Sequence, residues 1–184
     1  PFSIYKTTTV KAALFIKDIQ AGQTTKKTFH FHKAVGKDVQ YEISHKQKYP
    51  GAGPLTLVDG FTGTSNYNDG YWQGWEADDV DVVIDLQNTE KITQISVGLL
   101  ESQPSWIFLP TYVKVSFSED GVFFQNEKTV SLEDGERNGK PNRRVARLTG
   151  LKSSGRFVKV QAINRKTCPE WHVGAGEKAW IFAD

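Results

Sequence analysis

No stretch of this 184-residue chain long enough for an ordinary helix carries apolar residues at helical spacing. Short segments instead alternate apolar and polar side chains with a period of two, the pattern of strands with one face buried. Val10, Ala12, Leu14 and Ile16 share a face in Thr9–Ile16, and Phe29 and Phe31 share one in Thr28–His32. Val39–Ile43, Val80–Leu86, Ile92–Leu100, Tyr112–Ser118, Arg143–Leu148, Gly155–Ile163 and Ala179–Asp184 read the same way, with Leu55–Val58 a shorter apolar run. Eight or more short strands with turn signals between them predict an all-β domain, a β-sandwich or jelly roll.

Two long loops interrupt this pattern. Leu57–Trp75 is dense in Gly, Asn and Asp, the residues of tight turns, yet it also holds Phe61, Tyr67, Tyr71, Trp72 and Trp75. Asn164–Lys178 carries Trp171 and His172 among glycines. Aromatic loops this long are costly in water unless the rings pack or bind something. Loops held by a rigid sheet are also where binding residues collect.

A polar stretch that turns rich in Pro and Gly, His45–Pro54, marks the expected boundary. Residues 1–45 then form a short N-terminal β segment, the tail of a preceding domain, and residues 46–184 form the sandwich. The chain begins within a strand-like run at Phe2–Tyr5, ends within another at Ala179–Asp184 and has no methionine. It therefore reads as a piece of a longer protein whose targeting signal lies elsewhere. Cys168 is the sole cysteine, so the domain is not stapled. A formal net charge of +2 gives no whole-chain reason to bind nucleic acid or an acidic membrane. No apolar run is long enough to span a bilayer.

Catalytic signatures are missing. There is no Gly-x-Ser-x-Gly elbow, and Gly135–Lys140 has the wrong spacing for a phosphate loop. The 21 acids single out no catalytic pair. His30 and His32 share a strand face but lack a third ligand at useful spacing. Arg137, Lys140, Arg143, Arg144 and Arg147 have acids nearby and read as a solvated face. What remains is the mixture a sugar needs: rings for its C–H face and planar polar groups for its hydroxyls. A hydroxyl buried without a partner costs roughly 1–3 kcal/mol, so both kinds of group must be present. Tyr71, Trp72, Trp171 and His172 are the candidate binding residues, against the alternative that such rings cap the core. Trp106–Leu109, bracketed by Pro104 and Pro110, is the one segment that would suit a protein or lipid-headgroup binder; the prolines favour its being pinned to the core.

Several segments also look familiar. KYPGAGPLTLVDGFTG, GYWQGW and VDVVIDL resemble the opening of the discoidin-like, coagulation-factor C-type fold shared by family 32 carbohydrate-binding modules. SWIFLPTYVKVSFSEDG resembles its middle. CPEWHVGAGEKAWIFAD is similar to the ending of Bacteroides-type chitobiases (β-N-acetylhexosaminidases), and PFSIYKTTTVKAALF resembles the small chitobiase C-terminal domain that precedes the module there. The resemblance implies a galactose-binding-domain-like jelly roll with no catalytic residues, accessory to a glycoside hydrolase. It implies partners: glycans bearing galactose, N-acetylglucosamine or N-acetylgalactosamine, and the catalytic domain of the parent chain. It implies a secreted, periplasmic or cell-surface location in a bacterium. It also implies a structural calcium near the Asp-Gly turn and the final strand, which points to Asp59, Asp184 and, as a third position, Thr64. The rival expectation is a structural domain that packs on the catalytic domain or mediates dimerisation without binding sugar.

Overall fold

A computed structural model describes residues 3–184. The expected start of a strand at Phe2 lies outside these residues, and Ser3–Tyr5 are not in a strand. Eleven strands follow: β1 (Thr8–Ala12), β2 (Phe15–Ile16), β3 (Ile19–Gln20), β4 (Thr25–Phe29), β5 (Asp38–Ile43), β6 (Gln73–Glu76), β7 (Val80–Glu101), β8 (Tyr112–Ser118), β9 (Gln125–Ser131), β10 (Asn142–Ile163) and β11 (Trp180–Ala183). The all-β sandwich expected from the alternation is the architecture found.

β7 and β10, each 22 residues long, form one antiparallel ladder from Val80–Ala162 to Glu101–Asn142. The ladder is broken by register shifts between Thr149 and Ser153 and between Gly155 and Phe157. Bulges of this kind bend a strand and sharpen its twist, and here they fold the sheet over on itself. One layer takes β5, the first half of β7, the second half of β10, β8 and β9. The other takes β6, β11, the second half of β7 and the first half of β10. Val82, Leu86, Val113, Val115 and Val160 from the first layer meet Trp75, Leu99, Leu148 and Ile181 from the second in one core. The sequence reading of four separate strands in these regions is thus corrected to two long bent ones. The polar residues Gln87–Lys91 break the alternation at the register shift, where the ladder steps from Asp85↔Phe157 to Glu90↔Gly155 within one continuous strand.

β5 pairs with β7 from Asp38↔Asp85 to Ile43↔Asp81, so this strand, N-terminal to the expected boundary, belongs to the large sheet. Trp75 on β6 donates its indole N–H to the Ile43 carbonyl at 2.9 Å, and Tyr41 donates its hydroxyl to Gln73. These bonds close one side of the sandwich. Ahead of β5, β1 pairs with β4 and β2 with β3, outside the large sheet. This ribbon leaves Leu14, Phe15, Ile16 and Ile19 exposed, Ile19 by 74%. It docks on the first aromatic loop through the His30 N–H to Gly60 carbonyl bond and the Phe29–Phe61 contact.

Leu55–Val58 is not a strand. Thr56–Val58 is a 3-10 turn, entered from Pro54 and left at Asp59-Gly60, with the Val58 N–H bonded to the Leu55 carbonyl. Gly60 has φ +78°, and a side chain there would press on the His30 carbonyl. No helix is long and apolar enough to cross a membrane among the described residues.

Candidate functional site

The first aromatic loop is ordered by its own polar side chains. Asp59 accepts the Phe61 N–H, Asp69 accepts the N–H groups of Thr64 and Tyr71, and Asn66 accepts that of Asn68. These side-chain caps do locally what a ladder does in a strand. Trp72, only 1% exposed, donates its indole N–H to the Thr64 carbonyl. Its ring lies against Gly63, where any side chain would collide with it. Trp75 is fully buried. Tyr71 is half-buried, and the Lys27 ammonium sits 3.5 Å from its ring centre. Trp72 is therefore a core residue rather than a platform, and one face of Tyr71 is already occupied by a cation. Both follow from position: Trp72 stands one residue before β6, where the chain turns into the sandwich.

The opposite arrangement holds where three other loops meet. Gln103–Ser105 form a 3-10 turn that ends on Trp106, whose φ of 61° lies in the left-handed region. That conformation is uncommon for a bulky side chain and costs roughly 1–2 kcal/mol. It turns the Trp106 indole outward, 43% exposed, while Ile107, Phe108 and Leu109 are buried behind it. The indole lies flat on Gly174, where a Cβ would come within 2.5 Å of Nε1. Trp171, half-buried, packs edge-on against Phe108 and His172, and the Arg137 guanidinium lies 5.1 Å from its ring centre. Arg137 makes no ion pair among the described residues, which leaves its donors available.

A buried polar chain holds these loops together. Arg144 pairs with Glu101, and Glu101 accepts hydrogen bonds from the Gln103 amide and the Gly135 N–H. Gln103 accepts the Asn138 N–H on its side-chain oxygen. Its carbonyl accepts from Nε2 of His172, because Nδ1 is itself the acceptor of the Gly174 N–H. Both nitrogens of His172 are thus engaged, and the residue is 3% exposed. His172 ties the second loop to the Gln103 turn. Among the four predicted binding residues the structure brings Trp171 and His172 together, keeps Tyr71 and Trp72 in the other loop, and leaves Trp171 alone as a ring at this junction with a reachable edge. Sequence reading did not single out Trp106, because it weighed Trp106–Leu109 as a protein or lipid-headgroup spike and favoured its being pinned to the core; the structure buries Ile107–Leu109 and leaves Trp106 outside.

The residues named for calcium do not form a calcium site. Both carboxylate oxygens of Asp184 are taken by Arg143, through Nε at 3.1 Å and Nη2 at 2.9 Å, and Oδ2 also accepts the Gly63 N–H. Thr64 gives its carbonyl to Trp72 and its hydroxyl oxygen to the Asn66 N–H. Calcium takes six to eight oxygens, and here the side-chain oxygens of Asp184 and Thr64 are already engaged by N–H donors. Burial pushes the Asp59 carboxyl above the usual carboxylate range, and the nearby Asp184 charge adds to the rise.

A cleft of about 590 Å3 runs beside the Ile92–Val97 stretch of β7. Val82, Ile84, Leu86, Ile95 and Val97 give it an aliphatic wall, and Phe61, His30 and His32 also line it. Its phenylalanine is half-buried, whereas the Trp106 indole is 43% exposed.

No protein-family profile and no curated relative matches the chain. Solved structures similar to it include a Streptococcus pneumoniae fucose binding module, 17% identical, covering 83% of this chain and 93% of that one at a TM-score of 0.52. They also include the C-terminal domain of a Bacteroides fragilis chitobiase, 18% identical over 79% of this chain and 91% of that one, at 0.42. A third is CBM32-3 from a family 31 glycoside hydrolase of Clostridium perfringens, 17% identical over 79% and 90%, at 0.47. At these identities the likeness concerns the fold, and the first of them carries it: the chain has the β-sandwich architecture of that module.

Proposed function

We propose that the protein is a non-catalytic carbohydrate-binding module, the accessory domain of a secreted, periplasmic or cell-surface bacterial glycoside hydrolase. The observation that carries this reading is the exposed Trp106 indole, held at an unfavourable φ against Gly174, three residues along the loop from Trp171, whose ring carries the Arg137 guanidinium. Strain held at an exposed position is a sign of use. The pairing of a ring with nearby donors suits a sugar, with the ring under the C–H face and the guanidinium on a hydroxyl. The sandwich it shares with a fucose binding module supports the same reading. The resemblance of Cys168–Asp184 to chitobiase endings favours a β-N-acetylhexosaminidase as the parent. The ligands are then galactose, N-acetylglucosamine or N-acetylgalactosamine units, with fucose a further sugar to try. The mechanism is effective concentration: a weak, tethered contact in the μM to mM range keeps the enzyme beside its substrate without touching the chemistry.

Calorimetric titration of the chain with these four sugars and with chitobiose tests the proposal. Saturable heat with at least one sugar is expected. No heat with any of them at tens of millimolar, well above the weak end of that range, would refute it. A second reading then takes over: a packing domain, favoured by the exposed Leu14, Ile16 and Ile19 of the N-terminal ribbon, an apolar surface suited to an adjoining domain.

A further inference from the structure

The end of β11, the first turn of the aromatic loop and the start of β10 meet at one buried charge. Asp184 has its side chain 3% exposed and receives three N–H groups: two from Arg143 and one from the Gly63 backbone. Its own N–H donates to the Gly98 carbonyl, which sets it directly over β7. Gly98 is required there, because a Cβ would fall 1.6 Å from Asp184 Oδ1 and 2.5 Å from Arg143 Nη2. The ion pair therefore lies flat on the strand in a groove made by a missing side chain. Arg143 opens β10 opposite Leu100, so it reaches Asp184 across β7.

Four charges share this corner. The Asp184 charge acts on Asp59, and Lys27 and Arg143 balance the two carboxylates. A buried carboxylate needs a counter-charge and donors for its lone pairs. A divalent ion could supply the charge, with backbone carbonyls and water completing its shell. Arg143 supplies charge and donors together, in the planar two-pronged geometry that matches a carboxylate. With the guanidinium in place the four charges already sum to zero, and both carboxylate oxygens of Asp184 are engaged by N–H donors.

We propose that Arg143 is a built-in replacement for a structural cation at this joint, so that the fold and the order of the aromatic loop need no divalent metal. Removing the guanidinium reverses the arrangement. Asp59 and Asp184 then stand together with only Lys27 to offset them, a net negative corner and the start of an oxygen site that calcium can enter.

The test is thermal unfolding of the full chain and of Arg143→Ala, each in EDTA and in millimolar calcium. The unmodified chain is expected to melt at the same temperature in both. Arg143→Ala is expected to melt roughly 6–15 °C lower in EDTA, the loss for breaking a buried pair in a domain of this size, and to recover part of that in calcium. Asp184→Asn in the Arg143→Ala background should abolish the recovery. A saturable calcium-dependent rise in the melting temperature of the unmodified chain that disappears in Asp184→Asn would overturn the proposal. So would an Arg143→Ala protein that folds and shows no response to calcium. If Arg143→Ala does not fold in EDTA, folding on addition of calcium supports the replacement, and failure to fold in either condition counts against it. The comparison on the unmodified chain stands whatever the variants do.

Discussion

The two aromatic loops are built from similar residues and are used in opposite ways. In Leu57–Trp75 the tryptophans point inward: Trp72 and Trp75 are buried, and the loop's polar side chains are spent on its own backbone. At the junction of Gln103–Phe108 with Trp171–Gly174 one tryptophan points outward, and the polar side chains are spent on joining loops to each other. Ring content therefore does not distinguish a core cap from a platform. Backbone conformation does: Trp72 leads into a strand whose residues Gln73–Trp75 are all buried, whereas Trp106 sits at positive φ on a turn that leaves its ring outward.

The largest expected effect breaks the inward loop. Trp72→Ala should cost about 3–5 kcal/mol, the usual range for emptying a large buried aromatic site, seen as a lower urea midpoint. If it unfolds nothing, the ring is not core. Trp106→Ala should leave stability within about 1 kcal/mol, as for exposed positions, while weakening sugar binding by tenfold or more in titration. Backbone strain offers a finer probe. Trp106→Gly should be more stable than Trp106→Ala by roughly 1 kcal/mol, because glycine accepts positive φ without penalty. Equal stabilities would mean that the turn relaxes when the indole is removed.

The smallest effect is a pH dependence at Asp59. Its carboxyl is raised in the folded state, mainly by burial. A raised acid binds its proton more tightly folded than unfolded, so its stabilising contribution is complete below the ordinary carboxylate range. That contribution is lost as pH rises through the folded value. Asp59→Asn keeps the oxygen that accepts the Phe61 N–H and removes the charge. It should therefore be at least as stable as the parent at pH 7, with the advantage vanishing near pH 3. Urea midpoints at the two pH values check the sign.

Strand identity was legible wherever alternation ran unbroken, as in Tyr112–Ser118, because a half-buried strand imposes a period of two on its side chains. It failed where a strand was too polar to alternate. Gln87–Lys91 carries β7 through its bend, and Gln87 adopts φ 70° to do so, a backbone solution that leaves no apolar trace. Leu55–Val58 failed the other way: an apolar run too short to be told from a packed turn. At the site, Trp171 and His172 were found by residue type, but only contacts separate their roles. Arg143 looked like one member of a basic cluster, since its partner Asp184 lies 41 residues away. Trp106 was visible as an apolar spike. Its meaning depends on Gly174, which the fold, not the sequence, brings against it.

The most direct test of the central claim, that ligand binds at the Trp106 junction and not at the first aromatic loop, is a titration of matched variants. The best-bound sugar is titrated into the unmodified chain, Trp106→Ala and Tyr71→Ala, with folding checked by circular dichroism. The account predicts heat that is lost in Trp106→Ala and kept in Tyr71→Ala. Heat lost in Tyr71→Ala and kept in Trp106→Ala would contradict it and move the site to the other loop.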